Sequence, residues 1–141
     1  LEDRTLLSSY FVSTTGNDSG AGTSASPWKT LQHAADTVRA GDTVNVAAGT
    51  YKGFNVSTSG TASSRITFKA APGTTITTAG NGYDGINMEG ASYVTVDGFK
   101  VTGMPRSGIR SVTNTGVIIR NNVSDRNTVW GILTGFSENI L

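Results

Sequence analysis

Gly85-Ile86, Gly108-Ile109 and Gly131-Ile132 punctuate the second half of the chain at intervals of twenty-three residues. Working outward from them, Val94, Val117 and Ile140 keep the same interval, and Val96 and Ile119 repeat it. Upstream the interval shortens by one, with Val44 to Ile66, Val46 to Phe68 and Phe54 to Ile76 each twenty-two apart. The step from Ile66 to Val94 is longer by about five, which places an insertion around Asn81-Gly82-Tyr83-Asp84. A fixed period of this length marks a repeat architecture, in which one supersecondary unit stacks on the next.

From Thr43 onward the apolar residues alternate in short bursts, the period of a strand with one buried face. The bursts are separated by turn-forming groups such as Ala48-Gly49-Thr50, Ser59-Gly60-Thr61, Pro72-Gly73-Thr74, Asp97-Gly98 and Asn121-Asn122. Hairpins would reverse the pattern across a tight turn, whereas this registry runs head to tail, as parallel stacking requires. The reading is an all-β parallel β-helix, a solenoid whose rungs bury their inward side chains on one another. The predicted inward columns are Val44/Ile66/Val94/Val117/Ile140, Val46/Phe68/Val96/Ile119, Phe54/Ile76/Phe99 and Ile86/Ile109/Ile132. A β-sandwich is the alternative, and it would need several columns to coincide by chance.

Composition narrows the function classes. With 141 residues the chain has room for one domain. Charged residues make up 15% and the formal net charge is +1, with cations scattered from Arg4 to Arg126, so the basic stripe that nucleic acid requires is missing. No apolar run is long enough to span a bilayer. Zero cysteines remove disulfides and thiolate chemistry, and the single His33 removes a His-rich metal cluster. Gly, Ser, Thr and Asn together make 64 of 141 residues, a usage that would suit a disordered linker if the periodicity did not place them in turns.

A solenoid needs its ends closed. Ser26-Pro27 reads as a helix start, and Leu31, Ala34, Ala35 and Val38 recur at helical spacing until Gly41, which predicts an amino-terminal capping α-helix from Pro27 to Arg39. A strand at Tyr10–Val12 precedes it, and His33 reads as a solvated surface residue. At the carboxyl end Asn139-Ile140-Leu141 falls where the next strand of the Val94 column begins, so a chain truncated inside a rung, continuing in nature through further rungs, is the expectation. The expected organisation is a lead over 1–9, strand and cap over 10–42, and rungs over 43–141.

Several blocks resemble the amino-terminal region of pectate-lyase-like right-handed parallel β-helix proteins. They are Tyr10-Phe11-Val12-Ser13-Thr14-Thr15-Gly16-Asn17-Asp18, Pro27-Trp28-Lys29-Thr30-Leu31-Gln32, and Ala40-Gly41-Asp42-Thr43-Val44 with Ala47-Ala48-Gly49-Thr50-Tyr51. Arg65-Ile66-Thr67-Phe68-Lys69-Ala70 and Val96-Asp97-Gly98-Phe99 continue the resemblance, which covers roughly residues 10 to 141. Leu1-Glu2-Asp3-Arg4-Thr5-Leu6-Leu7-Ser8 separately resembles the segment preceding the mature domain in exported planctomycete proteins. The resemblance implies an extracellular or cell-surface location, a polysaccharide partner that can contain uronic acid, and lyases that work by β-elimination.

That reaction needs a positive charge on the uronate, commonly calcium held by carboxylates, and a Lys or Arg to remove the C5 proton. Here Asp84, Glu89, Asp97, Asp125 and Glu138 are the only acids after Asp42 and no two lie within three residues, so a calcium site is undersupplied within this chain and belongs, if anywhere, to a longer protein. The interval carries Asn87 to Arg110 and Asp97 to Arg120, which makes Asp97, Arg110 and Arg120 the candidate catalytic residues. The plainer reading of Asp97 and Arg120 is an exposed ion pair between rungs, worth about 0–1 kcal/mol. Asn121 and Asn122 suit an asparagine-lined turn bonded along the stack. Tyr83 and Trp130 are the candidate sugar-stacking residues, with Tyr93 and Phe136 as further aromatics and packing over loops as the competing explanation.

Two functions stay open. One is the amino-terminal part of an extracellular, monomeric protein that binds or cleaves acidic polysaccharide, with this piece itself inactive. The other is a non-catalytic adhesion or carbohydrate-binding scaffold, since a solenoid fixes a surface and not an activity.

Overall fold

The computed structural model describes residues 7–141. The export-type segment expected over 1–9 lies outside them except for its last three residues, of which Ser9 already opens a strand. In chain order the elements are β1 (Ser9–Val12), α1 (Leu31–Thr37), β2 (Thr43–Val46), β3 (Gly49–Lys52), β4 (Phe54–Asn55), β5 (Ile66–Ala70), β6 (Thr74–Thr78) and β7 (Ile86–Glu89). There follow β8 (Val94–Asp97), β9 (Lys100–Thr102), β10 (Ser107–Val112), β11 (Ile118–Arg120), β12 (Val123–Asp125) and β13 (Trp130–Gly135).

From β2 onward every third strand returns to the same sheet, with β1 added beside β2, and every pairing is parallel. Sheet A runs β1-β2-β5-β8-β11, sheet B runs β3-β6-β9-β12, and sheet C runs β4-β7-β10-β13. This is the solenoid that the twenty-three-residue interval predicts, in about four turns. Phe54, Phe68, Phe99, Ile66, Ile76 and Ile86 are fully buried in its bore. The Phe54 ring lies 5.0 Å from Phe68 and 6.0 Å from Phe99. Each such side chain contributes about 1.5–3 kcal/mol of burial, which is how strands of two to six residues hold together.

The Gly-Ile repeat has a steric cause. A Cβ on Gly85 would run into the Val101 side chain of sheet B, and one on Gly108 into Ser124 Oγ, so the chain passes closely enough to sheet B that only glycine fits before the inward isoleucine. Gly53-Phe54 is a fourth copy, because Phe54 pairs with Ile86 and Ile86 with Ile109. It stands thirty-two residues upstream of Gly85, which hides it from any search at constant period.

Three expectations need correction. Val44 pairs with Phe68 and Val46 with Ala70, a spacing of twenty-four, so the predicted Val44/Ile66 and Val46/Phe68 steps are two residues out. A slip of two leaves every side chain on its own face, so alternation alone cannot detect it. From Ile66 and Phe68 onward the predicted pairs hold, with Ile66 opposite Val94, Phe68 opposite Val96 and Val96 opposite Ile119. The column Phe54/Ile76/Phe99 does not exist. Gly53 turns the chain so tightly that Phe54 joins sheet C, whereas Ile76 pairs with Tyr51 and Val101 in sheet B.

The capping helix is shorter than predicted, Leu31–Thr37 and not Pro27–Arg39. Trp28 bridges to Val12 in a strand-like contact and its indole Nε1 donates to the Gly20 carbonyl at 2.9 Å, which keeps Pro27-Trp28 extended. Thr30 replaces Ser26 as N-cap, its hydroxyl accepting from His33 N at 3.2 Å. Leu31, Ala34 and Ala35 are buried, as the predicted apolar stripe requires. His33 is half-buried, edge-on to Trp28 at 4.9 Å, and not fully solvated.

Left-handed backbone recurs at fixed places on each rung. Gly90, Thr113 and Phe136 form one such column, and Tyr93, Gly116 and Asn139 another, all with φ between 51° and 78°. These residues bend the chain at the corners between sheets. Asparagines tie the corners to the preceding rung: Asn114 Nδ2 donates to Met88 O, Asn122 Oδ1 accepts from Phe99 N at 2.8 Å, and Asn127 Oδ1 accepts from Met104 N at 2.9 Å. The asparagine-lined turn expected at Asn122 is therefore present.

Candidate functional site

Alternation in sheet A turns Val44, Phe68 and Val96 into the bore and sets their neighbours on the outer face. The register aligns Phe11 with Asn45, Asn45 with Lys69, Lys69 with Asp97, and Asp97 with Arg120. One aromatic, one amide, one ammonium, one carboxylate and one guanidinium thus form a single file over all five strands. At about 4.8 Å per strand the file spans about 19 Å.

Asp97 is its electrostatic centre. Asn121 Nδ2 donates to Oδ1 at 3.0 Å and Arg120 Nε to Oδ2 at 3.0 Å. The Asn121 bond, aided by Arg120 and the Lys69 charge, holds the carboxyl below its ordinary range against a smaller opposing effect of burial. Beside the upper half of the file lie two adjoining hollows of about 570 and 220 Å³ that share Asn45, Val46 and Ala71. Phe11 and Pro27 wall the larger, and Lys69 and Pro72 the smaller. The outer face of sheet A is therefore a grooved, mixed-polarity strip running along the solenoid axis.

Of the three candidate catalytic residues the structure brings two together. Arg110 stands on the outer face of sheet C, where its Nη1 donates to Asn87 Oδ1 at 3.0 Å and to Glu89 Oε2 at 2.6 Å. The predicted Asn87–Arg110 stack is real, and it extends upward through Asn55, whose Oδ1 accepts from Asn87 Nδ2 at 3.2 Å.

The candidate aromatics occupy different columns. Tyr83 is 59% exposed on the corner between sheets B and C, with the Arg106 guanidinium carbon 5.2 Å from its ring centroid. Trp130 pairs with Ser107 in the last rung, where Ile132 and Val123 are also exposed. Phe136 is almost fully exposed, and Tyr93 is half-buried under Arg65.

Sequence reasoning missed Arg106, Lys69, Asn45 and Phe11. Twenty-three added to Tyr83 gives Arg106, so the interval already contained that neighbour. Lys69 and Asn45 needed the true register of the first two rungs, which the two-residue ambiguity concealed. Among the described residues no three His, Asp or Glu side chains gather closely enough to share a cation, and Asp84, Glu89 and Asp97 each bind an arginine. A calcium ion takes six to eight oxygen ligands, so these residues do not fit it and no chemical step is routed through it.

Comparison with known proteins agrees with the architecture. No curated protein matches the sequence. Among solved structures, a pectate lyase, Pel9A, superposes with a TM-score of 0.79 at 19% identity, covering 93% of this chain and 36% of that one. The GH136 lacto-N-biosidase from Eubacterium ramulus gives 0.78 at 16% identity, covering 93% of this chain and 30% of the other. A rhamnogalacturonan lyase gives 0.54 at 16% identity, covering 92% and 51%. At these identities the likeness is one of fold, and this chain spans about a third of the length of the first two. The sequence also matches the family described as "Pel9A-like, right handed beta helix region" over residues 10–139. With nearly its whole length matched and every strand pairing parallel, the chain belongs to the Pel9A-like right-handed β-helix family.

Proposed function

We propose that this chain binds acidic polysaccharide, outside the cell, along the outer face of sheet A. The single file Phe11–Asn45–Lys69–Asp97–Arg120 carries the reading, because it offers an elongated polymer an aromatic face, hydrogen-bonding groups and two cations on one straight path. Lys69 and Arg120 outnumber Asp97, so the strip favours carboxylate-bearing sugars over neutral ones. The family supports a polysaccharide-related role, and two of the solved structures of similar fold are a pectate lyase and a rhamnogalacturonan lyase.

Binding is favoured over cleavage at these residues. Arg120 is committed to Asp97, its Nε donating to Oδ2 at 3.0 Å, so it is not free to act as the base. Elimination also requires the uronate charge to be neutralised beside the base, and Asp97, the one carboxylate of the file, is paired with Arg120, while Asp84 and Glu89 are paired with arginines elsewhere.

The test is titration calorimetry of the 141-residue chain with an oligogalacturonide and with a neutral glucan oligomer of equal length. The acidic oligomer should bind more tightly, its affinity falling with salt, and Lys69→Ala should weaken it about fivefold, equivalent to ~1 kcal/mol for one exposed charge contact. Equal affinity for both oligomers, or no effect of Lys69→Ala, overturns the proposal.

A further inference from the structure

The corner between sheets B and C changes abruptly from the first rung to the second. In the first rung the chain passes from inward Tyr51 to inward Phe54 in three positions, turning at Gly53. In the second it takes ten positions from Ile76 to Ile86, and in the third eight from Val101 to Ile109. Gly80 packs against the Gly53 turn of the first rung, and residues 81–83 project beyond it as a ledge whose tip, Gly82, has nothing within 4 Å of where a Cβ would stand.

The ledge is braced from beneath. Asp84, with a side chain wholly shielded from solvent, accepts from Arg106 Nε at 3.0 Å and Nη2 at 2.6 Å, from Asn81 Nδ2 at 3.1 Å and from Ser107 N at 3.2 Å. Asn81 Oδ1 in turn accepts from Tyr83 N at 2.9 Å and Asp84 N at 2.7 Å, which fixes the backbone carrying the ring. Arg106 N donates to the Tyr83 carbonyl at 2.9 Å, and its guanidinium lies against the ring. A buried carboxylate is thus spent on orienting one part-exposed guanidinium under one exposed aromatic. The bonds to Asp84 use Nε and Nη2 and leave Nη1 for a ligand.

We propose that Tyr83 and Arg106 form a second sugar-contact point, distinct from the sheet A strip, that takes a single uronate residue. The C–H face of the pyranose lies on the exposed part of the Tyr83 ring that the guanidinium leaves uncovered, on the guanidinium's own side, where its carboxylate accepts from Arg106 Nη1. Two features separate this contact from the strip. The Asp84–Arg106 pair is neutral overall, so binding here depends on stacking and a directed hydrogen bond and is insensitive to salt. The aromatic is rigidly mounted, so little ordering is lost when the sugar arrives. The inference rests on the reading of the chain as a binder of acidic polysaccharide.

The experiment is a proton NMR titration of the intact chain with monomeric galacturonate and with a long oligogalacturonide, on wild type, Tyr83→Ala and Lys69→Ala. Tyr83→Ala alters an exposed loop side chain, and retention of the native spectrum verifies its fold. The monomer should shift the Tyr83 ring signals saturably, with a midpoint unchanged by added salt and unchanged in Lys69→Ala. Tyr83→Ala should lose monomer binding tenfold or more while keeping most of its salt-dependent affinity for the oligomer. Monomer binding that survives Tyr83→Ala, or Tyr83 signals that do not move, overturns the second contact and leaves the strip standing. Monomer binding lost only in Tyr83→Ala, with no salt-dependent oligomer binding, overturns the strip and leaves the second contact standing. Absence of any binding overturns both.

Discussion

Asp84 is held by the arginine of the next rung, Arg106, through two hydrogen bonds of 3.0 and 2.6 Å, with the carboxylate shielded and the guanidinium 37% exposed. Burial works to raise the Asp84 pKa, but the Arg106 and Asn81 bonds outweigh it and hold the group below its ordinary range. The same bonds push Arg106 upward. Removing one partner strands the other. Because Arg106 is partly solvated, Arg106→Ala is expected to cost about 2–3 kcal/mol, less than the loss of a wholly buried pair, measured by urea denaturation.

Acid titration should read the same contacts. Asp84, Asp97 and Asp18 all have folded pKa values below their ordinary ones. A depressed carboxyl contributes stability that is complete above the unfolded value, about 3.9, and is lost as the pH falls through the lower folded value. Thermal melts should therefore be flat from neutrality down to about pH 5 and fall steeply below pH 4. In Asp84→Asn the acid-side slope should be shallower.

Asp97→Asn tests the strip from its negative side. Arg120 is 57% exposed in its pair with Asp97, which weakens the pair by solvent screening, so stability should change by no more than about 1 kcal/mol. Affinity for oligogalacturonide should rise several-fold, because the only acid in the file is removed while Lys69 and Arg120 remain. A fall in affinity would mean that Asp97 contacts the sugar directly.

Asn114 tests the corner ladder. It is buried, donates to Met88 O, and accepts from Ser111 Oγ at 3.0 Å and Ser137 Oγ at 2.9 Å. Asn114→Ala leaves the Met88 carbonyl without its side-chain donor and should cost about 1–3 kcal/mol in chemical denaturation. Gly108→Ala should cost a similar ~1–3 kcal/mol for the opposite reason, since its methyl would meet Ser124 Oγ, Asn127 Nδ2 and the Gly131 carbonyl.

The fold was legible because each rung repeats the same demand on side-chain size. Gly85-Ile86 and Gly108-Ile109 place glycine where sheet B crowds the backbone and isoleucine where the bore must be filled, and Gly131-Ile132 keeps their register in the last rung, where Ile132 is exposed. Where that demand was met differently, the period failed: Phe54 fills the same column after a turn too short to keep the interval. Val44 was legible as an inward residue but not as the neighbour of Phe68, because alternation is blind to even slips. The candidate site was legible only where the interval was constant. Asp97 with Arg120 came from the regular rungs, whereas Lys69 and Asn45 lie across the irregular ones. Arg106 was within reach of the interval, but nothing in a sequence distinguishes an arginine braced by a buried aspartate from a solvated one.

Inside and outside carry different constraints on sheet A: the bore fixes Val44, Phe68 and Val96, whereas Lys69 and Arg120 stand exposed on the outer face. Exchanging one outer residue therefore edits a single ~4.8 Å step of the recognition path without disturbing the scaffold. Such a surface can drift from one polymer to another by point changes, each tried at almost no cost to folding.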